Sequence, residues 1–130
     1  MHTTNSQNVF TRVAPDCPTT AGEVPKDETT VAGLQYALLT QAPYTMTSDD
    51  LLFEVARRRA KEGEEPTREA FFVRPQACLR ASPLTKRYGW GVHHDANGRI
   101  ALYGRESDEY ARIEASEELT ITTAMRNRKA

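Results

Sequence analysis

The run Tyr88-Gly89-Trp90-Gly91-Val92-His93-His94-Asp95, answered after Asn97-Gly98 by Ile100-Ala101-Leu102-Tyr103-Gly104, constrains this chain most. Asn-Gly between two strand-like runs is the strongest short signal for a β-hairpin, because both residues tolerate positive φ. The two runs hold two of the three histidines, the only tryptophan and three of the seven glycines. Imidazole is the side chain that most readily changes charge near neutral pH or binds a metal. A chemical site, if the chain carries one, is expected to include this hairpin.

Strand geometry limits what the hairpin can do. Side chains alternate across a strand, so His93 and His94 point to opposite faces and cannot serve one metal ion without a bulge. No metal and no cofactor is expected. A two- or four-residue loop puts Trp90, Val92 and His94 on one face with Arg99, Ala101 and Tyr103. It leaves Gly91, His93 and Asp95 on the other with Ile100 and Leu102. A three-residue loop reverses the pairing.

Catalytic candidates are His93, His94 and Asp95. Two readings of His93 stay open. Asp95 can orient its ring as in a base–orienter pair, or Asp95 opens the turn by bonding its own backbone and His93 is a core histidine. Ligand-binding candidates are Trp90, His94, Tyr103, Arg80 and Arg99: an aromatic face with polar tips, and a guanidinium placed to clamp an anion. Gly89 and Gly91 permit close approach or a bulge, but the spacing is not that of a phosphate loop.

The rest of the chain predicts a single α+β domain over 1–130, with 1–7 and 125–130 flexible. Its 130 residues, 38% apolar and 27% charged, suit one core. Val9–Val13 alternates as a strand. A first helix is capped by Thr29 or Thr30 and runs to about Gln41, where Pro43 follows. A second begins at Thr47-Ser48-Asp49-Asp50 and ends in Arg57-Arg58-Arg59, both ends matching the helix dipole. Residues 62–67 form an exposed connector. Ala70–Val73 and Ala77–Ala81 read as short strands. Ser82-Pro83 starts a helical turn, Ser107 caps a short C-terminal helix, and Leu119–Thr123 is a last strand. The expected architecture is an antiparallel sheet packed with two longer helices and one short one.

A net charge of −1 argues against a dedicated nucleic-acid protein. No apolar run approaches the ~20 residues of a membrane span, and the opening residues do not form a secretory signal. Cys17 and Cys78 lack metal-knuckle or redox spacing and predict reduced thiols in a cytoplasmic protein.

The chain resembles an uncharacterised family of small, mainly bacterial proteins, a domain of unknown function. The resemblance is carried by Asp16-Cys17-Pro18, Gly22-Glu23-Val24-Pro25, Leu34-Gln35-Tyr36, Pro43-Tyr44, Thr47 to Val55, Leu79 to Leu84, Tyr88 to Asp95 and Ile100 to Gly104. Glu106-Ser107, Tyr110 and Ala124-Met125-Arg126 complete it. It covers nearly the whole chain and implies no activity. In layout the chain is also similar to the double-wing α+β proteins of the MmcQ/YjbR type.

Three functions are compatible with these residues. The first is a non-enzymatic module that binds a small molecule or a protein partner over the aromatic/His hairpin face, as a monomer or homodimer. The second is a small enzyme using His93 or His94 with Asp95, aided by a cysteine, on an anionic metabolite. The third, ranked last, is nucleic-acid binding through Arg57–Arg59, Lys86, Arg87 and the tail Arg126, Arg128 and Lys129.

Overall fold

A computed structural model describes residues 2–128. Alternating apolar positions in Val9–Arg12 (β1), Trp90–His94 (β2), Ile100–Gly104 (β3) and Thr120–Thr123 (β4) assemble a four-stranded sheet ordered β3-β2-β1-β4. Helices α1 (Val31–Gln41), α2 (Ser48–Arg59), α3 (Arg68–Val73), α4 (Pro83–Lys86) and α5 (Asp108–Glu114) complete an α+β domain. The expected antiparallel sheet holds for β1–β2 and β2–β3, but β4 joins β1 in parallel, so the sheet is mixed. A parallel neighbour needs a crossover, and α5 lies within the crossing segment.

The helix caps follow local chemistry. Thr30 Oγ1 accepts from Gly33 N. Thr47 and Asp50 form a reciprocal capping box at α2. Ser82 caps α4, with Pro83 in its first turn, and Ser107 caps α5. Two expected strands are corrected. Ala70–Val73 lies in α3, because the Thr67 hydroxyl accepts from Ala70 N and starts a helical turn that the aromatic run then continues. Leu79–Ala81 is a 3₁₀ turn that leads into Ser82.

The sheet has a core on each face. Val92 and Ile100 pack with Leu39 of α1, Leu51 and Val55 of α2, and Leu79. On the reverse face Phe10 packs edge-on against Tyr110 of α5, their ring centroids 5.0 Å apart, with Val13, Tyr103 and Ile121 around them. The N-terminal segment is bonded to α2: Thr3 Oγ1 donates to Asp49 Oδ2 (2.6 Å) and Thr4 N to Asp49 Oδ1 (2.7 Å). At the other end Asn127 N donates to Asp16. Lys129, the last cation of the expected basic tail, lies outside the described residues.

Candidate functional site

The hairpin closes with a three-residue loop, which fixes its faces. His94 pairs with Ile100 and His93 with Ala101. Gly98 takes φ +77°, and its N–H bonds to the Asp95 carbonyl, giving the longer hairpin turn with glycine in the left-handed region rather than the two-residue form. The grouping expected for a two- or four-residue loop is therefore overturned. Trp90, Val92 and His94 share their face with Ile100 and Leu102, while His93 shares its face with Ala101 and Tyr103.

On the reverse face a hydrogen-bonded chain forms. Tyr44 Oη lies 2.6 Å from Tyr103 Oη and 2.8 Å from His93 Nδ1. Tyr44 follows α1 and runs along the open edge of β3, its N–H bonding to the Ile100 carbonyl. Its backbone sits at φ +59°, a left-handed conformation unfavourable for a bulky residue. Asn8 is at φ +55° and, with His93, Asp95, Arg112, Ile113 and Glu118, lines an open cleft of about 420 Å³. These two are the only non-glycine residues at positive φ among the described residues.

The chemistry of the chain follows from its partners. Burial holds the His93 pKa below its ordinary value, with the Asp95 charge a smaller opposing influence. Burial, then the Tyr103 hydrogen bond, pushes the Tyr44 pKa far up. Tyr44 and His93 are thus both neutral near pH 7. A phenol is the better donor and an imidazole nitrogen the better acceptor, so the proton order runs Tyr103 to Tyr44 to His93 Nδ1. The ring then carries its proton on Nε2. Asp95 is not the partner of His93: its Oδ1 accepts from Asn97 N (2.8 Å) and Arg99 N (2.9 Å), holding the turn. Tyr44 takes the orienting role, and sequence offered only Pro43-Tyr44 as part of the family resemblance to mark it.

The remaining candidates are dispersed. Trp90 donates from Nε1 to the Glu23 carbonyl (2.8 Å) and packs on Tyr36. His94 is buried, 4% exposed, and its Nδ1 has no hydrogen-bond partner among the described residues. With Cys78 and Arg80 it lines a separate small pocket of about 90 Å³. Arg80 Nε donates to the Thr123 carbonyl (2.8 Å), and Arg99 is exposed in a bridge with Thr47. Tyr103 alone of this set joins His93. Cys17 and Cys78 are free and half-buried, and neither lines the His93 cleft. Arg57 and Arg58 both donate to Glu54, a solvated helix end rather than a free basic patch. Among the described residues no group of three or more His, Cys, Asp or Glu is placed to hold a metal ion, and no helix is long and apolar enough to cross a membrane.

A family model described as a family of unknown function, DUF6157, matches residues 1–130. No curated protein and no solved structure matches the chain.

Proposed function

Because the chain belongs to the DUF6157 family, whose function is unknown, its own geometry has to carry the reading, and we propose that it is a small non-enzymatic ligand-binding domain whose site is the His93 cleft. The observation that carries this is that His93, which lines the cleft, is held at Nδ1 by Tyr44, a bulky residue kept at φ +59°. Backbone strain of this kind costs of order 1–3 kcal/mol per residue and persists where the surrounding structure holds it for a purpose. The ligand is a small polar molecule with an acceptor oxygen for His93 Nε2–H, and Arg112, Asp95 and Glu118 supply charges of both signs at the rim. The enzyme reading loses its base–orienter pair, since Asp95 serves the turn. Free thiols at Cys17 and Cys78 suit a cytoplasmic setting.

A thermal-shift panel of amino acids, hydroxy acids, sugars and phosphorylated metabolites tests the proposal on wild type, His93→Ala and His94→Ala. A ligand at ~100 times its dissociation constant adds roughly 2.7 kcal/mol, several degrees for a domain of this size. A shift kept in His94→Ala and lost in His93→Ala supports the cleft. No shift with any compound, or a shift indifferent to His93, removes it.

A further inference from the structure

We infer that the protein has a second binding site, for a neutral and largely apolar molecule carrying one carbonyl group, in the open groove between α1, α2, α3 and the Leu79–Ala81 turn. The groove has a volume of about 320 Å³, within the range of small-ligand pockets, and lies on the opposite face of the sheet from the His93 cleft. Its walls are apolar: Leu52, Val55, Phe71 and Leu79. At one side stand two buried polar side chains, Gln35 at 2% and Ser82 at 6% exposure.

The hydrogen bonds of that pair define what a ligand must offer. Ser82 Oγ donates to Gln35 Oε1 at 2.6 Å and accepts from Leu84 N at 3.1 Å. The hydroxyl is therefore used in both directions, and the Gln35 oxygen is occupied. What the pair still has to give is the Gln35 amide nitrogen, with two N–H donors. The complement of an unbonded donor in an apolar groove is an acceptor oxygen. None of the lining residues is charged, so the groove offers an ionised carboxylate or phosphate no counter-charge to offset the water it would give up there. A ketone, ester or amide carbonyl on an apolar body meets both conditions. Gln76 donates its own amide to the Phe71 carbonyl at 2.8 Å, which ties the segment after α3 back onto that helix.

The test is a titration of protein labelled at the Val and Leu methyls, followed by NMR, with 2-octanone and octanoate as probes of matched length and different charge. The inference predicts saturable shifts at Val31, Leu52, Val55 and Leu79 with 2-octanone, and at least tenfold weaker binding of octanoate. Ala56→Phe fills the groove from α2 without removing a hydrogen bond, and should abolish the response while the spectrum stays folded. Gln35→Leu should weaken 2-octanone about tenfold. Equal or tighter binding of octanoate, no saturable shift with 2-octanone, or binding unchanged in Ala56→Phe overturns the inference. His93→Ala should leave the titration unaltered, which separates this site from the cleft.

Discussion

Tyr44 and His93 are 49 residues apart in sequence, yet the phenol oxygen of the first lies 2.8 Å from Nδ1 of the second. This one contact joins the segment after α1 to the centre of the hairpin, and it engages one of the two ring nitrogens of His93.

Removing the phenol should therefore disturb His93 more than it disturbs the fold. Tyr44→Phe keeps the ring and deletes both hydrogen bonds. It should lower stability by about 1–2 kcal/mol, the usual effect of stranding half-buried polar partners. Urea unfolding reads the loss, and an unchanged midpoint would mean that water replaces the hydroxyl.

The buried His94 should make the protein acid-sensitive in a defined window. Burial depresses its pKa to about 4 in the folded state, against 6.5 when exposed. Between these values the unfolded chain takes up a proton that the folded chain does not. The stabilisation is complete above about pH 6.5 and lost as pH falls toward 4, by about 3 kcal/mol from this residue. His93 shifts in the same direction. Stability measured across pH 4–7 should fall steeply in wild type and less steeply in His94→Leu. Parallel curves would refute the assignment to His94.

Asp49 should hold the N-terminal segment. Its carboxylate accepts from Thr3 Oγ1, Thr4 N and Thr4 Oγ1. Asp49→Ala should cost at least about 2 kcal/mol through these charge-assisted bonds. It should also speed amide exchange at Thr4 and Asn5. Unaltered exchange at Thr4 would show that the segment is held by other contacts.

Gly91 marks a close approach between layers. A Cβ there would stand 2.6 Å from Phe10 Cζ and 2.6 Å from Tyr110 Cε2. Gly91→Ala should force that aromatic pair apart and destabilise by about 1–3 kcal/mol. Thermal melts measure it. A neutral outcome would mean that α5 moves aside without penalty.

Much of this was readable locally and little of it at long range. The caps at Thr47, Ser82 and Ser107 are written in adjacent residues, so α2, α4 and α5 could be located from sequence. The Asn97-Gly98 turn was equally plain, but the dipeptide does not specify loop length. One residue more in the loop moved Tyr103 from the face of Trp90 to that of His93. Phe71-Phe72-Val73 misled because aromatic and β-branched residues favour strands, while the hydroxyl of Thr67 favoured a helix. Tyr44 and Gln35 escaped notice because what distinguishes them is a partner more than 40 residues away.

The most direct test of the central claim is the ring ¹⁵N spectrum of histidine-labelled protein, followed through pH 5–8 in wild type and Tyr44→Phe. The Tyr103–Tyr44–His93 chain predicts one neutral His93 tautomer protonated on Nε2, titrating below 6.5, that gives way to a tautomer mixture in Tyr44→Phe. A His93 ring that titrates at or above 6.5, or that is indifferent to the loss of the Tyr44 hydroxyl, would contradict it.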